Sequence, residues 1–366
     1  MLTKADDYPI HQLSLPVATP ATSDRNFYDR YYFNGYSRDG KTYFVLTLGV
    51  YPAINLIDAA FMVQRDGRQR SIFASRHLNC ERLDSRVAPI EVKVLEPLHK
   101  LMACVEKNQY GISAELVATG RTALFDEGRM TQSFGPRVLM DATRATQNVD
   151  WQGWIELDGE RIDVQGWIGS RDRSWGIRPL GVRDPQPSAP MAEPQLHWLW
   201  GPLHFDDYCF YFHNMDNADG ESWHRACTLV PANGKPLKIQ DIDIHLTYRR
   251  GTRQISGAEL NGRFADGGKV RIEYFPREVV YMQGAGYNHP IWGQGTYHGE
   301  YAVHYQTLDV RDIDPNSIEH IHVQHLSRAV LRLPDGSVRE GRGVLEQIVI
   351  GRHAPSGFKE FFDVAA

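Results

Sequence analysis

The 366-residue sequence is poor in cysteine. It has four, at positions 80, 104, 209 and 227, widely scattered and with no CxxC pair. That spacing excludes a disulfide framework and a cysteine-rich zinc site, and predicts reduced thiols in the core. Basic runs are also missing. A formal net charge of -5 and an isoelectric point near 6.3 argue against nucleic acid as a partner, because no stripe of positive charge is available to the phosphate backbone. No apolar run approaches the ~20 residues of a membrane span. Residues 1–12 are polar and partly acidic, without the basic and apolar regions of a signal peptide. The chain therefore reads as cytoplasmic, with no membrane span.

The phosphate-binding patterns GxGxxG and GxxxxGK[ST] are absent, which predicts no nucleotide cofactor. GxSxG is absent too, and Ser170, Ser174 and Ser356 have no evident base beside them. The histidines of "EHIHVQHL" invite a metal reading. As a strand, however, it puts His320 and His322 on one face and His325 on the other, and no carboxylate completes a cupin-type set. The expectation is no metal and no cofactor of any kind. Helical periodicity is scarce as well. "EPLHKLMACVEK" is the best helical candidate, but its flanks alternate and predict a strand.

Period-2 alternation is what the sequence does contain. In "DIDIHLTYR", Ile242, Ile244, Leu246 and Tyr248 share one strand face, and Asp241, Asp243, His245 and Thr247 take the other. "KVRIEYFP", "IEVKVLEPL" and "GISAELVATG" repeat the pattern. Turn signals punctuate it at Asp39-Gly40, Asp66-Gly67, Asp158-Gly159, Asp219-Gly220, Asn261-Gly262 and Asp266-Gly267. Glycine accepts the positive φ that tight hairpin turns require. "VLRLPDGSVREGRGVLEQIVI" reads as a hairpin about Asp335-Gly336 followed by a further strand. Many short strands at turn-spaced intervals predict an all-β protein of barrels or strongly curved antiparallel sheets.

Residues 179–194, "PLGVRDPQPSAPMAEP", are rich in proline, which cannot donate to a strand ladder. This linker predicts an N-terminal β domain over 1–185 and a C-terminal one over 186–366.

Three clusters mix charge with aromatic side chains. "SDRNFYDRYYFNGYS" (23–37), read as a strand, puts Tyr28, Arg30, Tyr32 and Asn34 on one face, suited to the polar lining of a small barrel, and Tyr31 and Phe33 on the other. "SRDRSWGIRP" (170–179) sets Asp172, Arg173 and Arg178 beside Trp175. A carboxylate among aromatics calls for an arginine partner, from this stretch or from the 23–37 cluster, and Trp175 is expected to be buried. "MQGAGYNHPIWGQGTYHGEY" (282–301) combines glycines with Tyr287, His289, Trp292 and His298, as a ligand-covering loop would. Beyond the linker, "LHWLWGPLHFDDYCFYFHN" turns Trp198 and Trp200 to one face and His197 to the other, with His204 and His213 following.

Together "SDRNFYDRYYFNGYS", "GVYP", "SRDRSWG", "GYNHPIWGQGTYHGE" and "LEQIVIGRHAPSGF" resemble a bacterial group similar to the carotenoid 1,2-hydratase (hydroxyneurosporene synthase) and lipocalin-like hydrolase superfamily. The resemblance spans nearly the whole chain. It implies two lipocalin-like β-barrels side by side and an apolar substrate, isoprenoid, steroid-like or aromatic, that is hydrated, dehydrated, isomerised or cyclised without cofactor. The hydratases' Asp-His-Glu-Trp-Gly stretch matches Asp172-Arg173-Ser174-Trp175-Gly176 here. Aspartate and tryptophan are kept; histidine and glutamate are replaced. Arginine does not donate a proton near neutral pH. The donor is then Asp172 held protonated by burial, or His197, His204 or His213.

Two readings stand at this stage. In the first the chain is a cofactor-independent lyase or isomerase with catalytic candidates Asp172, Arg173, His197, His204 and His213. Its substrate would be bound by Tyr28, Arg30, Tyr32, Asn34, Trp175, Arg178, Trp198, Trp200, Tyr287, His289, Trp292 and His298. In the second it is a carrier whose Arg173 and Arg178 clamp the carboxylate of an apolar ligand. The expected partner in both is an apolar small molecule, and a homodimer is compatible with either.

Overall fold

The computed structural model describes residues 2–180 and 194–366. Strands dominate, helix is confined to short 3-10 turns among these residues, and the strands form two large curled antiparallel sheets. The all-β expectation holds. No helix among the described residues is long and apolar enough to cross a membrane. No disulfide joins the cysteines.

The chain divides into two compact units, Met1–Gln186 with Gly284–Arg311, and Pro187–Gln283 with Asp312–Ala366. The expected 185/186 boundary lies outside the described residues. The division into two continuous halves needs correction, because residues 284–311 return to unit 1. There the Tyr301–Asp309 strand pairs antiparallel with Arg68–His77. The exposed edge of that hairpin recruits a distant strand, and no local sequence signal marks the pairing.

The sheet of unit 1 runs, neighbour to neighbour, through Tyr301–Asp309, Arg68–His77, Leu56–Arg65, Thr42–Tyr51, Phe27–Tyr36, Trp167–Ile177, Arg137–Leu157, Ile112–Gly120, Lys100–Val105, Ile90–Glu96 and Arg86–Val87. One face is apolar. Phe33, Phe44, Leu46, Phe61, Ile72 and Trp151 belong to a continuous buried cluster on it, each worth roughly 1.5–3 kcal/mol of burial for the aliphatic and phenyl side chains. The opposite face is polar and equally covered, with Arg30, Asn34, Thr47, Ser170 and Asp172 all buried. On that buried face the polar groups are interleaved with Tyr32, Val45, Met62 and Phe73.

In unit 2 the order is Leu237–Lys238, Ser222–Pro231, Tyr208–Asp216, Leu196–Trp200, Val338–Ile350, Val323–Arg332, Lys269–Tyr281, Ile255–Arg263 and Gln240–Tyr248. Its core gathers Leu199, Phe210, Phe212, Leu260, Tyr274 and Leu345, and Ile242, Ile244, Leu246 and Tyr248 pack against it as the alternation predicts. Most Asp-Gly signals fall between paired strands. Asn261-Gly262 does not: both residues lie inside the Ile255–Arg263 strand. Gly262 is needed there for close packing, since a Cβ would meet the Ile239 side chain. The segment after Asp335-Gly336 is one strand, Val338–Ile350, not an arm followed by another.

Candidate active site

"SRDRSWGIRP" is not a loop. It lies largely within the Trp167–Ile177 strand, paired with Phe27–Tyr36 on one side and Arg137–Leu157 on the other. Register then decides each side chain. Arg30 stands opposite Ser174 on one side and Gly49 on the other, and Gly49 stands opposite Asp58. Tyr32 faces Asp172 across the same pair of strands. Alternation puts Tyr28, Arg30, Tyr32, Asn34, Asp58 and Asp172 on the polar face. Gly49 leaves room in the row, because a Cβ there would press on the Tyr51 hydroxyl and the Asp58 carboxylate.

Arg30 is 1% exposed, and none of its guanidinium nitrogens hydrogen-bonds to a described residue. Its plane lies over the Tyr287 ring at 4.7 Å from the centroid. Burial works against its charge, but Tyr287, Tyr51, Asp58 and Asp172 outweigh it and hold Arg30 above the ordinary arginine range. Asp58 accepts hydrogen bonds from the Tyr51 hydroxyl at 3.2 Å and from the Gly295 backbone N–H at 2.7 Å. Burial nevertheless raises its pKa above the usual carboxylate value, against the opposing pull of Arg30 and these donors. Tyr51 is pushed well above its ordinary value, first by burial and then by Asp58.

Residues 284–299, within unit 1, cover this face. The Thr47 hydroxyl donates to the Ala285 carbonyl at 3.4 Å, Gly284 comes so close that a Cβ would crowd Met62 and Ser71, and Gln294 accepts from Arg178 at 2.7 Å. His289 holds the loop's shape, accepting the backbone N–H groups of Ile291 and Trp292 on Nδ1 and meeting Gln306 through Nε2 at 2.6 Å. Between loop and sheet lies a cavity of about 20 Å³, lined among others by Thr47, Asp58, Phe73, Ser75, Trp292 and His298. That is room for about one water molecule. His298 stacks on Trp292 at 3.8 Å. Burial, then the nearby His289 and His304, lower its pKa, and its buried Nε2 has no hydrogen-bond partner among the described residues. One water-sized cavity thus has a carboxyl biased toward its protonated form and an imidazole biased toward its neutral form.

The other expected residues fall elsewhere. Arg173 lies on the opposite face from Asp172. It donates to Asp29 and to the Arg30 carbonyl, both at 2.6 Å, and stacks 4.0 Å over Tyr31. Trp175 is 41% exposed, which corrects its expected burial: three residues from Asp172 on a strand, it must face the other way. Arg178 lies over Tyr28 at 4.7 Å. Asp172 couples electrostatically to Arg30, from the 23–37 cluster. Asn34 works structurally, accepting the Ser170 N–H at 2.7 Å.

The histidine and tryptophan candidates beyond the linker belong to unit 2. Trp198 donates its indole N–H to His213 Nε2 at 2.6 Å, and Trp200 is buried. His322 and Glu346 meet at 2.5 Å. His204 is buried in the short Leu203–His204 strand. His197, on the other face from the tryptophans, stacks on His353 at 3.7 Å, with Asp216 adjoining both.

Asp58 escaped the sequence reading. It is a single carboxylate in the apolar run "NLIDAAFMV", and that isolation within a strand was the available signal.

A family model described as a family of unknown function (DUF8625) matches residues 2–359. The chain belongs to this family. No curated protein matches it in sequence. Among solved structures, a protein of Nitrosomonas europaea provisionally named AttH is similar at 14% identity and TM-score 0.52, over 93% of this chain and 98% of that one. CghA is similar at 10% identity and TM-score 0.52, over 89% and 88%. CghA with Sch210972 gives 11% and 0.51, over 89% of each chain. At such identities the likeness is one of fold, and it agrees with the lipocalin-like architecture of this DUF8625 chain.

Proposed function

We propose that the chain is an acid–base enzyme that adds water to, or removes water from, an apolar small molecule at the unit 1 site, with no organic cofactor. The cavity as it stands seats the water, and the substrate enters by displacing the loop over it. The observation that carries this reading is the pairing of Asp58 and His298 on one water-sized cavity, with pKa values displaced in opposite directions. Groups tuned apart in this way divide into proton donor and proton acceptor. In the hydration direction His298 takes a proton from water as its oxygen bonds to one alkene carbon. The π bond breaks, and Asp58 delivers its proton to the neighbouring carbon. Dehydration runs the steps in reverse. Arg30 acts on the site through Asp58, whose pKa it pulls down against burial, and Phe73 and Trp292 supply apolar walls. A carrier would need arginines turned to its ligand. Arg173 is instead engaged by Asp29 and Arg178 by Gln294.

The test uses the apolar fraction of a bacterial extract incubated with protein in oxygen-18 water. Comparison of wild type with Asp58→Asn by mass spectrometry should reveal a compound that gains or loses one water. The variant is expected to slow that change by about 10²-fold or more. If no compound changes by a water in an Asp58-dependent way, the reading fails.

A further inference from the structure

A second cluster lies in unit 2, outside the site just described. His197 comes from the Leu196–Trp200 strand, Asp216 from the end of Tyr208–Asp216, and His353 from the segment after Val338–Ile350. All three are more than nine-tenths buried. His197 Nδ1 is 3.6 Å and His353 Nε2 is 3.7 Å from Asp216 Oδ2. Both separations, at 3.6 Å or more, lie beyond hydrogen-bond range. Both nitrogens, and Asp216 Oδ1, lack a hydrogen-bond partner among the described residues.

The remote nitrogen of each ring is engaged by a hydroxyl. His353 Nδ1 meets Ser356 Oγ at 2.7 Å, and His197 Nε2 lies 3.4 Å from Tyr248 Oη. Tyr248 in turn meets Ser356 at 2.6 Å. Each imidazole is thus held on one side and left bare on the side turned toward the carboxylate. Outer partners orient metal-binding histidines in the same way.

We infer that His197, Asp216 and His353 form a binding site for a divalent transition cation of the zinc class. Metal–ligand bonds of about 2.0–2.2 Å in a tetrahedral site put neighbouring ligand atoms about 3.3–3.6 Å apart, close to the spacings found. The rings are stacked within 13° of parallel, so a rotation of each about Cβ–Cγ is needed to aim both lone pairs at one point. Two imidazoles and a carboxylate suit zinc, cobalt or nickel better than calcium or magnesium, which prefer oxygen. Arg225 Nη2 stands 3.9 Å from Asp216 Oδ1, while the side chain is held elsewhere, donating from Nε to Asn214 Oδ1 at 2.6 Å and from Nη1 to the Ile242 carbonyl at 2.8 Å. It leaves Oδ2 to the cation. Because His353 belongs to the C-terminal segment, whose backbone turns back on itself through the His353–Phe358 bridge, a bound ion pins that segment to two central strands.

The experiment is a cobalt titration of untagged, chelator-treated protein. One equivalent of Co²⁺ should give the visible absorption of a four-coordinate site, Zn²⁺ should displace it, and saturating Zn²⁺ should raise Tm. Asp216→Asn and His353→Gln should each abolish the band, and His245→Gln, at an exposed histidine outside the cluster, should keep it. A wild-type protein that shows no stoichiometric band overturns the inference, as does a band that survives both ligand substitutions. The wild-type titration decides the matter even if a variant fails to fold.

Discussion

Arg30 and Asp58 are joined by a row of the sheet and separated by Gly49, a residue without a side chain. Each modifies the other. Asp58 helps to keep Arg30 charged where burial alone would oppose it, and Arg30 pulls the Asp58 carboxyl down against a larger upward push from burial. Removing the cation leaves that push unopposed from this side. In Arg30→Met the Asp58 pKa should therefore move upward, and the range over which Asp58 is protonated should extend to higher pH. Carboxyl-carbon NMR titration of wild type and variant reads this directly. An unchanged or lowered Asp58 value would mean that the two groups are not electrostatically coupled as their positions imply. The opposite tuning of His298 does not depend on Arg30, being set by burial and by His289 and His304, so its titration serves as the internal control.

At the scale of the element, glycine placement fixes where strands bend. Gly153 sits within Arg137–Leu157 at φ +115, and a Cβ there would overlap the Glu115 carbonyl oxygen of the neighbouring strand. Gly159, in the adjoining turn, has φ +85 with open space around it. Gly153→Ala must distort the ladder and should cost about 2 kcal/mol or more. Gly159→Ala bears only the left-handed backbone penalty, about 1–2 kcal/mol at most. Urea midpoints for the two variants check the order, and equal costs would show that the Gly153 strand yields without strain. Elements of this kind were legible from sequence because alternation and Asp-Gly turns are local. The Arg30 face was readable for the same reason. Trp175 is exposed against expectation because the cluster was read by composition alone, and on a strand the odd spacing from Asp172 turns it to the opposite face. Asp58 and the 197–216–353 cluster were not legible, since their meaning comes only from pairing between residues far apart in the chain.

At the scale of the molecule the chain does not finish unit 1 before it begins unit 2. Residues 284–311 leave unit 2, cover the polar face with the loop that carries Tyr287, Trp292 and His298, and complete the sheet with Tyr301–Asp309. From that strand Val303 and Tyr305 pack against the apolar cluster of unit 1. A fragment of residues 1–185 would lack all of this. Its Arg68–His77 strand, which itself carries Ile72 and Ala74, would be an open edge, and a long unpaired edge with apolar side chains invites association with other chains. Such a fragment should aggregate or melt without a cooperative transition. A peptide spanning 284–311, added in trans, should restore a soluble species by supplying the missing strand. Size-exclusion chromatography and thermal melts of the fragment, with and without the peptide, make the comparison. A monomeric fragment that melts cooperatively without the peptide would show that the returning segment is an ornament on unit 1. Aggregation relieved by the peptide would show that it is part of the fold, and that the Asp58–His298 pair cannot be assembled from the N-terminal half alone.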